Sequence, residues 1–257
     1  MYSPQSAPDS SPEYPPRQPP RQITLAASEK KPLVTYTLLG ITAVAYLLQL
    51  AGVYLLGDDY LAYFGLKVNE LIEAGQVWRL FTPMFLHDNA SIFHIGFNMY
   101  ALFSIGPGLE RHYGSGRFTM LYLISGFAGN VLSFLFSPAA SWGASTAIFG
   151  LLGAEGVFLY QNKGLFGPSA RAALIQIIII AGVNLMIGLS PGIDNWGHIG
   201  GLAAGVLFAW FAGPKYDVQY VSGAPALADQ RDLPMALRIG LAVWALFAIL
   251  AAWKILF

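Results

Sequence analysis

The chain contains no cysteine, which removes disulfides, thiol nucleophiles and cysteine-bound zinc together but leaves the compartment open. Charge is also scarce: 11% of the residues are charged, against about 25% in an ordinary soluble domain. The 14 basic and 14 acidic side chains cancel. No basic tract of the kind that grips a phosphate backbone occurs, so nucleic acid is not an expected partner. The sequence has no HExxH and no pair of aspartates within its apolar stretches, so neither a zinc protease nor an aspartic mechanism has its residues. No metal and no cofactor are expected.

What is present is apolar, with 55% of the 257 residues hydrophobic. A helix crosses the hydrocarbon core with roughly 20 apolar residues, and seven stretches approach that length: 33–56, 90–109, 118–137, 145–161, 172–189, 195–212 and 236–256. The expected fold is an all-α polytopic membrane protein in contact with lipid. The fourth, fifth and sixth stretches are short and carry glycines and polar residues, the pattern of helices buried among neighbours. The link 57–89 is expected to pack its own apolar side chains into the membrane interface. Residues 1–32 hold half of the prolines and no sustained apolar run. They read as a disordered cytoplasmic tail, with a proline-rich ligand as the functional alternative. No removable signal peptide is expected. The domain reading is a core over 33–213, a cytoplasmic linker over 214–234 and an additional helix over 235–257.

Orientation follows from Lys and Arg in alternate connections. With the N-terminus inside, one side collects Arg17, Arg21, Lys30, Lys31, Arg111, Arg117, Lys163, Arg171, Lys215, Arg231 and Arg238, while the other keeps Lys67, Arg79 and Lys254. The N-terminus is therefore expected in the cytoplasm and the C-terminus outside. The second, fourth and sixth stretches then start from the outer face. His94, Ser145 and His198 each lie within a few residues of those starts, so at about 1.5 Å per residue they share one depth. Polar groups inside a membrane are costly and by default mark function.

Ser145 is the candidate nucleophile and His198 the candidate base, because a serine hydroxyl is weakly nucleophilic until a neighbour takes its proton. Taken alone, Ser145 also reads as an N-cap or a small packing residue, and a lone helical histidine as structure. Gly201 and Gly205 fall on the His198 face, and Gly150 and Gly153 thin the fourth stretch, so the two helices can approach closely. His94 and Asn98 are spaced i, i+4 on one face. They are candidate donors to an oxyanion, together with the Ser145 N–H; for Asn98 alone, bonding between packed helices is an equal reading. Glu155 lies about 15 Å deeper than Ser145. Asp194, one turn before His198, reads as a helix cap, so the expected constellation is a Ser/His dyad.

With "GASTAIFG", "HIGFNMYALFSIGPGLE" and "WGHIGGLAAG" in that order, and "WR" at Trp78 and Arg79, residues 60–212 closely resemble the rhomboid family of intramembrane serine proteases. The resemblance implies a six-helix bundle with a seventh, C-terminal helix appended. It implies Ser145 as nucleophile, His198 as general base, and His94, Asn98 and the Ser145 amide as the oxyanion hole. Gly143 and Gly150 match the glycines of the family's GxSxxxxG pattern, and Phe149 takes the place of the aromatic ring that packs on the histidine. Trp142, Gly143, Phe149 and Trp196 are the expected substrate-binding residues. Two departures stand out: Thr146 follows the nucleophile where many relatives have glycine, and Gly197 precedes the base where alanine is common. By the same resemblance the substrates are transmembrane segments that unwind near their outer ends, with the loop near 189–196 covering a water opening. The setting expected is a bacterial inner membrane, with an organelle as the alternative. The rival reading is an inactive rhomboid-like protein that binds transmembrane helices; a channel or transporter is more distant, since the inner halves of the helices are mainly apolar.

Overall fold

Backbone N–H and C=O groups find no water in lipid, so a chain this apolar must bond them within its own helices. The computed structural model describes residues 31–221 and 224–257; residues 1–30 of the expected tail lie outside the described residues. The helices are α1 (Leu33–Ala51), short α2 (Tyr60–Gly65) and α3 (Asn69–Glu73), α4 (Ile92–Phe136), α5 (Ser145–Gln161), one-turn α6 (Lys163–Phe166), α7 (Pro168–Ile187), α8 (Asn195–Ala212) and α9 (Leu233–Leu256). All seven expected spans are helical. The second and third are the two arms of α4, which meet at Gly114 with φ 73° and ψ 154°. A positive φ suits glycine, which has no Cβ to clash. The reversal brings Gly129 of the second arm beside Thr146, at the level of His94 in the first arm beside Gly143.

Among the described residues, four helices are long and apolar enough to cross a membrane: α1 with its continuation to Leu56, α4, α7 and α9. Shorter α5 and α8 have 17 and 18 residues and sit against the second arm of α4. Their backbones nearly touch. A Cβ built on Gly201 would stand 1.9 Å from the Thr146 carbonyl oxygen, and one on Gly205 would stand 2.1 Å from that of Gly150. The face of α9 formed by Ala236, Gly240, Val243, Phe247 and Ala251 is buried at helical spacing, and Trp244 stacks on Phe127. By contrast, α7 buries only Ala170. The result is an all-α polytopic fold.

Polar contacts fix the ends. The α1 N-cap position is Pro32, which offers no acceptor. Glu110 of α4 supplies one instead, accepting from the Val34 and Thr35 N–H groups at 3.0 and 2.8 Å and from the Thr35 hydroxyl at 2.8 Å. A carboxylate at a helix N-terminus is favoured by the helix dipole. At the same end, the segment expected as a plain linker contains a two-stranded antiparallel hairpin, β1 (Tyr216–Val221) with β2 (Ala224–Asp229). Arg117 of α4 pairs with Asp229 and donates to the Arg231 carbonyl. Arg231 donates to the Gly213 carbonyl at 2.7 Å, and Asn162 accepts from the Tyr216 N–H at 2.8 Å. The segment therefore clasps α4, α5 and α8 where α9 begins.

Candidate active site

The site lies at the opposite end from the hairpin and is held by the link between α1 and α4. Buried Arg79 donates to the Leu66 and Tyr63 carbonyls, each at 2.8 Å, and to the Gln76 side chain. Gln49 of α1 bonds both backbone groups of His87 at 3.0 Å. Lys67, fully buried, donates to the Ser137 and Ala139 carbonyls at 2.8 and 2.7 Å. Burial lowers its ammonium to about 8. The same lysine pairs through its backbone with Ser141. Gly143, with φ 123°, donates its N–H to the Pro83 carbonyl at 2.9 Å. The segment that delivers Ser145 to the start of α5 is thus pinned along its length.

Asp194 caps α8 by accepting from the Gly197 N–H at 3.0 Å, which places His198 one turn inside that helix. The Ser145 Oγ and His198 Nε2 are 3.0 Å apart. Phe149, one turn after the serine, stacks on the imidazole with 4.3 Å between centroids and 15° between planes. If Nε2 accepts from the Ser145 hydroxyl, the imidazole carries its own proton on Nδ1. A Cβ added to Gly143 would meet His94 Nε2 at 2.7 Å and Ser145 Oγ at 3.7 Å. Any side chain there would displace the His94 ring. Asn98 is buried and gives one amide hydrogen to the His94 carbonyl at 3.0 Å, with no partner for the second among the described residues. The N-cap of α5 is Ala144, without a side-chain acceptor, so the first amides of that helix have no partner in the chain's own cap.

Of the expected substrate-binding residues, Phe149 lies on the His198 ring and Gly143 between His94 and Ser145. Trp142 is half-buried. Trp196 is exposed on one side and packs on Phe136, 4.7 Å between centroids. The two departures, Thr146 and Gly197, are one feature. A Cβ on Gly197 would stand 3.0 Å from Thr146 Cγ2, so the threonine methyl occupies the room that an alanine at 197 would need.

Sequence reasoning passed over His87. Its buried Nε2 accepts from the Ala144 N–H at 3.4 Å, and its ring lies edge-on to His94 with 5.1 Å between centroids. Burial, reinforced by the neighbouring His94, drives its imidazole down to about 3. The available signal was numerical: the chain has 4 histidines, and three of them meet here.

Comparison with known proteins identifies the family. The Rhomboid domain family model matches residues 74–215. The chain is 43% identical over 180 residues to rhomboid protease GluP of Bacillus subtilis (strain 168), covering 70% of this chain and 34% of that protein. It is 43% identical over 154 residues to RHOMBOID-like protein 1 of Arabidopsis thaliana, covering 59% and 39% of the two. To Rhomboid-like protease 1 of Toxoplasma gondii it is 39% identical over 152 residues, covering 57% and 51%. The chain thus spans about a third to a half of the length of these relatives. With more than half of its residues inside the family's domain, and that stretch holding Ser145, His198 and the glycines that join them, the chain belongs to the rhomboid family.

Proposed function

We propose that the chain is an intramembrane serine endopeptidase in which Ser145 and His198 form a catalytic dyad. The observation that carries this reading is the 3.0 Å approach of Ser145 Oγ to His198 Nε2 under the Phe149 ring. Ser145 attacks the scissile carbonyl as its proton passes to His198 Nε2; the imidazolium then returns that proton to the leaving amine, and water repeats the sequence on the acyl-enzyme. His94, the second amide hydrogen of Asn98 and the Ser145 N–H stabilise the oxyanion, which preorganised donors favour strongly in a water-poor site. Phe149 holds the imidazole plane. Trp142, Gly143, Phe149 and Trp196 line the substrate side.

Substrates in this reading are membrane-protein segments that unwind near the outer face, because a peptide inside a regular helix keeps its carbonyls bonded and out of reach. The loop near 189–196 gates water. The N-terminus lies in the cytoplasm and the C-terminus outside, in a bacterial inner membrane, with the protease core over 33–213 and α9 as an added helix. The names of GluP and of the Toxoplasma relative as proteases support proteolysis. The second reading, an inactive binder of transmembrane helices, leaves the Ser145–His198 contact without a use.

The test is incubation of the purified chain in detergent with a type I membrane substrate, alongside Ser145→Ala and His198→Ala. Cleavage by the wild type and a loss of at least about a thousandfold in both variants is expected. Equal cleavage by all three removes the dyad, and no cleavage of a panel of substrates by the wild type favours the binder.

A further inference from the structure

We propose that Asp194 is a positioning residue for His198, its second carboxylate oxygen accepting the Nδ1 proton through one bridging water while Thr146 closes the far side. The proposal rests on the dyad reading above and names what holds the base in its working tautomer. When Nε2 accepts from Ser145, Nδ1 carries the proton. That Nδ1 is buried and has no partner among the described residues, and a buried donor left unpaired is expensive.

The complementary group sits one turn away. The His198 N–H donates to the Asp194 carbonyl at 3.2 Å, so the two side chains project from adjacent turns of the same helix end. Asp194 Oδ1 is used by the cap to the Gly197 N–H, while Oδ2 is buried with no partner among the described residues. A third buried polar atom without a partner among the described residues is Thr146 Oγ1. Asp194 Oδ2 and Thr146 Cγ2 each lie 3.0 Å from the point where a Cβ on Gly197 would stand. The missing methyl at 197 therefore keeps open the ground between the Asp194 carboxylate and the Thr146 side chain, one residue before His198. An acceptor, a hydroxyl and a donor satisfy one water, which needs two to four polar partners. The charged or titratable groups that act on the His198 ring are Asp194 and, across from it on α4, His94. Asp194 is the acid of the two. Its charge steadies the imidazolium that forms when Ser145 loses its proton, in the way an oriented carboxylate supports a histidine base.

Capping and positioning separate experimentally, because asparagine and serine both cap helices well but neither carries a charge. Asp194→Asn and Asp194→Ser are measured in the full-length chain for kcat, KM and Tm, with Asp194→Ala as the variant that loses both roles. The expected result is a fall in kcat of about tenfold to a hundredfold in the Asn and Ser variants, the scale of a charged hydrogen bond, with KM and Tm held. Wild-type kcat in both would overturn the proposal, as would a kcat that declines only in step with Tm across the three variants. Ser145→Ala in the same series separates the two ideas: if it cleaves like the wild type, the dyad itself has failed.

Discussion

Replacing Gly201 by alanine tests how tightly the approach of two helices controls the chemistry. The added Cβ would stand 1.9 Å from the Thr146 carbonyl oxygen and 2.8 Å from its carbon. Both are backbone atoms in α5, the helix headed by Ser145, so no side-chain rotation relieves the clash. An ordinary Cβ contact needs more than 3 Å, so α8 must move from α5 by about 1 Å or more. Gly201 lies one turn after His198, so the displacement acts directly on the 3.0 Å contact between Nε2 and Ser145 Oγ, stretching it to about 4 Å, beyond hydrogen-bond range. Overpacking of this kind costs about 1–3 kcal/mol of stability, and a misplacement of about 1 Å in a catalytic pair costs about a hundredfold in rate. The assay pairs kcat on a transmembrane substrate with Tm. Gly182→Ala in α7, with nothing within 4 Å of the added Cβ, is the control and should leave both intact. Wild-type kcat in Gly201→Ala would refute the argument that glycine-permitted contact between α5 and α8 sets the site.

Thr146 and Gly197 should behave as a coupled pair. Gly197→Ala alone is expected to lose stability against Thr146 Cγ2 and Asp194 Oδ2, each 3.0 Å from the new methyl, while adding Thr146→Gly recovers at least half of the loss; strictly additive Tm changes would contradict the reciprocal fit. His87 should make the fold acid-sensitive. Its folded-state imidazole is near 3 against an ordinary value of about 6.5, so below that ordinary value the unfolded chain takes up the proton and the folded one does not. Stability is fully present above about pH 6.5 and declines as pH falls, by up to about 3 kcal/mol near pH 4. His87→Gln, which keeps an acceptor for the Ala144 N–H, should flatten that slope in urea titrations; an unchanged slope would remove His87 as its source.

The helices were legible because hydropathy over about 20 residues is a strong signal in lipid, and even short α5 and α8 announced themselves by glycines at close-approach spacing. The pairing of Ser145 with His198 was legible as a shared depth. What escaped depends on contacts between distant backbone groups. Nothing local marks His87 as the acceptor for an N–H 57 residues away, or Glu110 as the cap of a helix 75 residues earlier. The hairpin at Tyr216–Val221 and Ala224–Asp229 looks like a linker in sequence because its alternation is brief and flanked by far stronger apolar runs. Thr146 and Gly197 are separate departures in sequence, and only the 3.0 Å from Thr146 Cγ2 to the place of a Cβ on Gly197 joins them.

Covalent labelling by a phosphonofluoridate, located by peptide mass, reads the activated serine without needing the natural substrate. The account predicts one adduct, on Ser145, formed at least about a hundredfold more slowly in His198→Ala. An adduct on another residue, none on Ser145, or labelling of Ser145 at the same rate without His198 would contradict it.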